Sequence, residues 1–241
     1  MIPPQPTKLS LPILAVAALS AGMSVGGHRL ATAEPEPGRQ EIGRVIVLIE
    51  TELGDIEVEL DGARAPITVA NFLRYVDVGR YDGGRFHRSV RLDNQAREDV
   101  LIEVVQAGIN RERGQRFDAI ALERTRDTGL KHLDGALSMA RSGPDTARSD
   151  FFICIGDQPA LDYGGARNAD GQGFAVFGRV VRGMEVVRRI HQSPTADRER
   201  LAPPIGIVKM TRITRPRARF PPGVPRRAHG AQRRETRTVP R

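Results

Sequence analysis

The stretch Phe151-Phe152-Ile153-Cys154-Ile155 is an unbroken apolar run of five residues. A run of this length, rich in aromatic and β-branched side chains, predicts a β-strand. Cys154 is the chain's only cysteine, so an internal disulfide is impossible, and its apolar neighbours indicate a buried thiol. The run therefore predicts a strand at the centre of the fold.

Further strand-like runs lie on both sides of this one. They occupy residues 45–49, 56–60, 85–90, 102–106, 136–140, 174–181 and 205–213. Apolar residues at helical spacing predict an α-helix over residues 66–76, with Pro66 at its start, and a shorter one over residues 183–191. Many short strands with two helices indicate a closed or nearly closed β-barrel capped at its ends.

Composition limits the classes of protein that are possible. The chain has 241 residues, of which 39% are hydrophobic and 27% charged, which predicts one globular domain with appendages. Residues 212–241 contain ten arginines and one acid, so they account for the whole net charge of +8. Since the chain has no tryptophan and only 5% aromatic residues, we expect no base-stacking surface and no nucleic-acid partner.

The first 33 residues have the order of a secretory signal peptide. Lys8 precedes an apolar run at residues 11–25, and Ala31-Thr32-Ala33 follows as a cleavage site. We expect residues 1–33 to be a cleaved signal, with an uncleaved membrane anchor as the alternative. The protein is thus predicted to be exported, most simply to the periplasm, with secretion or membrane anchoring also open.

Two segments flank the predicted barrel domain, residues 44–214. Residues 34–43 read as a spacer rich in proline and glutamate, and residues 215–241 as a disordered tail rich in arginine and proline. The tail either makes weak contact with an anionic lipid or polymer surface, or is a solvated segment with no specific role.

A series of short motifs resembles the cyclophilin family of peptidyl-prolyl cis-trans isomerases. The motifs occur in the family's order across residues 44–214: Pro66 with Asn71-Phe72, Tyr81-Asp82-Gly83, Phe86-His87-Arg88, Val105-Gln106-Ala107-Gly108, Leu137-Ser138-Met139-Ala140, Phe151-Phe152-Ile153 and Val176-Phe177-Gly178-Arg179-Val180. The resemblance implies a mainly β fold, a closed eight-stranded antiparallel β-barrel capped by two α-helices. It implies no cofactor and no metal.

The resemblance also assigns roles to individual residues. Arg88 matches the catalytic arginine and Gln106 the glutamine that binds a substrate carbonyl. The substrate-binding positions that it implies are Phe152, Val104, Leu161, Phe174, Ala140, Arg141 and Asp150. Taken alone, Arg88 could be an ordinary surface arginine on a strand, and Phe152 a plain core residue. Strand alternation directs His87 away from the face of Arg88, so we interpret it as structural.

Several positions depart from the family pattern. The polar stretch at residues 91–99 makes the connection before Gln106 about ten residues longer than is usual in the family, and it could clamp substrate or block the groove. Glu103 falls where a pocket phenylalanine is common. Asp150, Ala160 and Phe174 replace a glutamine, a tryptophan and a histidine. The pocket is therefore expected to be altered around an unchanged centre of Arg88, Gln106 and Phe152.

Three functions remain open at this point. The first is an isomerase, expected to be monomeric, acting on proline-containing unfolded or partly folded polypeptides. The second is a non-catalytic module that binds proline peptides in a degenerate pocket. The third is a polyanion-binding protein whose barrel only displays the basic tail.

Overall fold

The computed structural model describes residues 44–213 of the chain. The predicted signal peptide (1–33), spacer (34–43) and basic tail (215–241) lie outside the described residues.

Eight strands of the described chain form one closed antiparallel barrel. Their bounds are β1 (Arg44–Thr51), β2 (Gly54–Asp61), β3 (Arg85–Val90), β4 (Val104–Gly108), β5 (Ala136–Met139), β6 (Phe151–Cys154), β7 (Ala175–Arg182) and β9 (Arg200–Ile213), and a two-residue β8 (Thr195–Ala196) pairs with β9. The order around the barrel is β1-β2-β7-β5-β6-β4-β3-β9, and β9 pairs again with β1. The predicted closed eight-stranded antiparallel barrel is therefore confirmed.

The hairpin of β1 and β2 shows how the sequence specifies this sheet. Ile56, Val58 and Leu60 alternate along β2 and are fully buried. Thr51 pairs with Gly54 at the turn, where Gly54 has a φ of 123° that side chains other than glycine rarely adopt. On the other face of β2, Glu59 is partly exposed whereas Glu57 is buried beside Arg182. The outer face of β2 is therefore only partly exposed to solvent.

Two helices pack on the barrel where the sequence predicted them. Helix α1 (Pro66–Asp77) contacts β2, β7 and β9, and helix α3 (Met184–His191) contacts β2, β3 and β4. The backbone N–H groups of Ile67 and Thr68 donate to the Glu123 carboxylate, which satisfies the start of α1 from a distant loop. A single helical turn, α2 (Thr125–Thr128), was not predicted because four residues are too few to show a period.

Aromatic rings fill the barrel between α1 and the sheet. The Phe72 ring centroid lies 5.1 Å from those of Tyr81 and Phe177 and 5.4 Å from that of Phe151. Cys154 is fully buried, as predicted, and burial raises the pKa of its thiol. The opening motif Phe151–Cys154 is thus a central strand with one face in this core.

Two strands begin at other residues than predicted. β9 begins at Arg200 and not at residue 205, and β4, predicted to begin at residue 102, begins two residues later. The backbone N–H and C=O of Ile102 bond to the side chain of Gln95 instead of a neighbouring strand, so the ladder begins at Val104. Within residues 44–213, no helix has the length and apolar character that a membrane crossing requires.

Candidate active site

Three adjacent strands place Arg88, Gln106 and Phe152 side by side. Arg88 on β3 is paired with Gln106 on β4, and Gln106 is paired with Phe152 on β6. Directly paired residues on neighbouring strands project from the same face of a sheet. The register of the barrel therefore brings the predicted arginine, glutamine and phenylalanine onto one surface.

These side chains line a cavity of about 320 Å³. Eight of the nine residues predicted for the site line it: Arg88, Val104, Gln106, Ala140, Arg141, Phe152, Leu161 and Phe174. Ile102, Arg167 and Asn168 complete the lining, and the sequence did not point to them. The lining combines apolar side chains with guanidinium and amide groups.

The ninth predicted residue, Asp150, lies in an adjoining cavity of about 150 Å³. That cavity shares Gln106, Ala140 and Arg141 with the first, so the two form a continuous surface. The Asp150 carboxylate accepts from Ser149 Oγ at 3.0 Å and from Arg116 Nη2 at 3.3 Å.

Arg88 is held by two partners. Its Nε and Nη2 lie 2.7 and 2.6 Å from Oε2 of Glu199, and its Nη1 donates to Gln106 Oε1 at 3.0 Å. A guanidinium has five N–H groups, so two remain available when these three are engaged. The side chain of Arg88 is 36% exposed and that of Glu199 only 17%, so Glu199 acts as a fixed anchor beneath an accessible cation.

The Gln106 side chain is oriented by the same contact. Because its Oε1 accepts from Arg88, its Nε2 amide hydrogens are left for another acceptor. The cavity thus offers N–H donors from both Arg88 and Gln106 next to an apolar wall.

Behind the apolar wall, a buried polar chain supports Phe152. The His132 ring stacks on Phe152 with centroids 5.9 Å apart and an interplanar angle of 11°. His132 Nδ1 lies 2.8 Å from Asp162 Oδ1 and Nε2 lies 3.0 Å from Ser138 Oγ. Because Asp162 can only accept, Nδ1 carries the proton and Nε2 accepts from Ser138.

Ser138, His132 and Asp162 are hydrogen-bonded in the same order as the residues of a nucleophilic catalytic triad. The serine and the histidine, however, are buried in the core. Ser138 is fully buried and His132 is 1% exposed. Burial lowers the pKa of His132, even though the Asp162 carboxylate opposes that effect. The arrangement therefore keeps a neutral imidazole under Phe152 and fixes the ring. No local sequence pattern indicates this arrangement, since the three residues lie in separate segments.

Phe174 closes the wall at right angles to Phe152. The two ring centroids are 5.3 Å apart with an interplanar angle of 90°. Arg141 lies 5.0 Å from the Phe174 ring centroid and donates to both carboxylate oxygens of Asp170, at 2.7 and 2.9 Å. These hydrogen bonds from Arg141 lower the pKa of Asp170 to about 2. The ion pair ties the glycine-rich loop, residues 162–173, to the rim of the cavity.

The polar insertion, residues 91–99, packs against that loop. Gln95 is 5% exposed and its Oε1 accepts from Arg167 Nη1 at 2.9 Å, while Arg97 donates to the backbone oxygen of Arg167. None of residues 91–99, all within the described range, lines the cavity. In this structure the insertion therefore supports the rim and does not block the groove.

The resemblance placed Glu103 at a pocket position, and the structure shows that this assignment is wrong. Its neighbours Ile102 and Val104 line the cavity, whereas Glu103 does not. Its Oε1 lies 3.8 Å from His191 Nε2 instead. Because side chains of an extended segment alternate between faces, the apolar position of the pocket is filled by Ile102.

His87 lies outside the Arg88 cavity. It lines a separate cavity with Arg85 and Asp150, where β3 has a register shift between Phe86 and Arg88. Burial lowers the pKa of His87. Among the residues that the structure describes, no group of three or more His, Cys, Asp and Glu side chains could hold a metal ion.

A closed barrel that presents an arginine and a glutamine beside an aromatic pocket is suited to holding a proline residue and its flanking backbone. The fold and the site therefore indicate a peptidyl-prolyl isomerase. Residues 46–212 match the family described as "Cyclophilin type peptidyl-prolyl cis-trans isomerase/CLD". The chain therefore belongs to the cyclophilin-type peptidyl-prolyl cis-trans isomerase family.

Individual relatives agree with this assignment. The chain is 39% identical over 150 residues to "Peptidyl-prolyl cis-trans isomerase A" of Dickeya dadantii, covering 62% of this chain and 72% of the relative. It is 34% identical over 182 residues to "Peptidyl-prolyl cis-trans isomerase" of Acinetobacter baylyi, covering 75% and 84%.

A solved structure has the same fold. The crystal structure of a cyclophilin type peptidyl-prolyl cis-trans isomerase of Cryptosporidium parvum is similar with a TM-score of 0.57 and 24% sequence identity, covering 72% of this chain and 99% of that one. The same Cryptosporidium parvum isomerase was also crystallised in the presence of the dipeptide Ala-Pro, and that structure has a TM-score of 0.55.

Proposed function

We propose that this protein catalyses the cis-trans isomerisation of X-Pro peptide bonds in exported, unfolded or partly folded polypeptides. The observation that carries the proposal is the placement of Arg88 and Gln106 beside Phe152 in one cavity. Family membership over residues 46–212 supports the same reaction.

The chemistry requires rotation about a bond with partial double-bond character. The barrier is about 18 to 20 kcal/mol because twisting destroys the amide resonance. In the twisted state the lone pair is localised on the prolyl nitrogen, which becomes a hydrogen-bond acceptor. An N–H of Arg88 directed at that nitrogen binds the twisted state more strongly than either planar isomer, which accelerates the rotation.

The other cavity residues hold the substrate while it rotates. Phe152, Leu161 and Phe174 supply an apolar wall for the pyrrolidine ring. Gln106 Nε2 donates to a substrate carbonyl, and the backbone at Ala140 and Arg141 anchors the flanking chain. Glu199 keeps Arg88 in place, and the two remaining N–H groups of the Arg88 guanidinium stay accessible. The reaction breaks no covalent bond, so it does not require a nucleophile.

The assignment to exported clients is supported by the sequence of residues 1–33, which has the features of a signal peptide. We infer a periplasmic location, a monomeric protein and no cofactor or nucleic-acid partner. We also infer that the basic tail, residues 215–241, makes at most weak contact with anionic surfaces. Cell fractionation with a deletion of residues 1–33 as the control tests the location, and cytoplasmic recovery of both forms would refute it.

The activity is tested with the full chain on a proline tetrapeptide and on a protein whose refolding is limited by proline isomerisation. We expect acceleration of both. Peptide binding without acceleration would identify a non-catalytic proline-binding module instead. Absence of both binding and acceleration would refute the proposal.

A further inference from the structure

Arg167 is a cation in the substrate cavity that the motifs of the family do not account for. It lies in the glycine-rich loop, yet its side chain lines the same cavity as Arg88 and Phe152. Phe152, Leu161 and Phe174 form the apolar wall proposed for the proline ring, so the Arg167 cation is available to the residues that flank the proline.

The polar insertion fixes the direction of this side chain. Arg167 Nη1 donates to Gln95 Oε1 at 2.9 Å and to the backbone oxygen of Val100 at 2.6 Å. The backbone N–H of Arg167 donates to Ala160 at 3.1 Å. Arg167 is therefore a supported side chain with one of its terminal nitrogens occupied.

Among the described residues, Arg167 is the one arginine of the cavity wall that forms no ion pair. Arg88 is paired with Glu199 and Arg141 with Asp170. Within residues 44–213, no carboxylate lies within ion-pair distance of Arg167, and its Nε and Nη2 make no hydrogen bond. A guanidinium remains protonated at physiological pH. Besides the ion-paired Arg88 and Arg141, the cavity formed by the described residues thus presents one cation without an ion pair, which has free donors and is partly shielded from water.

We propose that Arg167 is a specificity-determining residue that favours substrates with an acidic side chain, Asp or Glu, next to the proline. The proposal rests on the isomerase function proposed above. The planar guanidinium matches a carboxylate in shape and donates paired hydrogen bonds to it. Partial burial at the rim weakens solvent screening of that pair, so a carboxylate is preferred over the isosteric amide.

The test compares matched peptides in the isomerisation assay. One pair has Glu or Gln immediately before the proline, and a second pair has Glu or Gln immediately after it. In at least one pair we expect kcat/KM to be about fivefold higher for the Glu peptide, the scale of a half-exposed ion pair, and to converge on the Gln value at high salt.

Variants assign the preference to Arg167. Arg167→Gln is expected to bring the Glu-to-Gln ratio close to one, whatever its absolute rates, and Arg167→Lys is expected to keep the ratio above one. Arg179→Gln removes the same charge from the exposed face of β7, outside the cavity, and is expected to keep the wild-type ratio.

A ratio of one in both wild-type pairs would overturn the inference, and so would a preference that persists in Arg167→Gln. Isomerisation of the Gln peptides by the wild-type protein is the internal control. If the Gln and Glu peptides are all left unaccelerated, the proposed isomerase function fails; if they are accelerated equally, only the role of Arg167 fails.

Discussion

Arg88 and Glu199, 111 residues apart in the chain, form a close ion pair in which Nε and Nη2 lie 2.7 and 2.6 Å from one carboxylate oxygen. The pair joins the strand that carries the arginine to the turn before β9. Glu199 does not line the cavity, so we infer that it acts through Arg88 as a positioning residue.

Removing this anchor is expected to lower the isomerisation rate. For Glu199→Ala we expect a decrease in kcat/KM of about tenfold, because hydrogen bonds to charged groups contribute roughly 1.5 to 3 kcal/mol. Glu199→Gln keeps one acceptor oxygen and is expected to recover most of the rate. Glu185→Ala, an exposed change on α3, is the control. Wild-type activity in Glu199→Ala, at an unchanged melting temperature, would contradict the positioning role.

The aromatic wall is tested by truncating Phe152. Phe152 is 5% exposed, so Phe152→Ala is expected to cost about 3 to 5 kcal/mol of unfolding free energy and to raise KM for proline peptides. Urea unfolding and peptide titrations measure the two effects. Phe151→Leu truncates the neighbouring ring on the core face and should lower stability without raising KM. Equal KM values for Phe152→Ala and Phe151→Leu would contradict a binding role for Phe152.

The contacts of Gln95 predict that the insertion supports the rim of the cavity. Gln95→Ala removes the hydrogen bonds to Ile102 and Arg167, both of which line the cavity. We expect faster amide hydrogen exchange at Ile102 and a raised KM, because the rim loses a fixed geometry. Asp93→Asn, in the exposed part of the same loop, is the matched control. Unchanged exchange at Ile102 would show that Gln95 does not hold this segment.

Buried histidines predict how stability depends on pH. Burial lowers the pKa of His132 and of His87, so below the ordinary histidine value of about 6.5 the unfolded chain binds protons that the folded chain does not. Unfolding free energy should therefore be highest above that pH and fall as the pH decreases towards 5, by at most about 1.4 kcal/mol per pH unit for each histidine.

The variant His132→Gln removes one of these groups and is expected to flatten the slope between pH 6.5 and 5, and His87→Gln to flatten it separately. Urea unfolding at a series of pH values measures the slope. A slope that is unchanged in both variants, or stability that increases towards pH 5, would contradict this interpretation.

Local sequence patterns predict the barrel and the centre of the site, but not the residues that turns and loops contribute. The barrel and the juxtaposition of Arg88, Gln106 and Phe152 follow from strand patterns and motif order, because paired positions on adjacent strands share a face. Glu199 and Arg167 lie in a turn and a loop, whose side-chain directions depend on contacts with distant segments. No periodicity marks such residues.

The position of Glu103 shows a limit of motif matching. The family resemblance placed Glu103 at a pocket position, between the strand residues Val104 and Gln106 and the polar insertion. Alternation of faces counted back from Gln106 puts Val104 and Ile102 in the cavity wall and leaves Glu103 near His191. Strand periodicity thus identifies the residue that faces the substrate better than the motif does.

Exchange spectroscopy by NMR measures directly whether Arg88 accelerates rotation about the X-Pro bond. The cis and trans signals of an Ala-Pro peptide are recorded with a small amount of wild-type protein, Arg88→Ala or Arg179→Ala. We predict rapid exchange with the wild type and with Arg179→Ala, and exchange slower by about 100-fold or more with Arg88→Ala, the scale of losing one aligned donor. Equal exchange rates for Arg88→Ala and the wild type would show that Arg88 is not the catalytic residue.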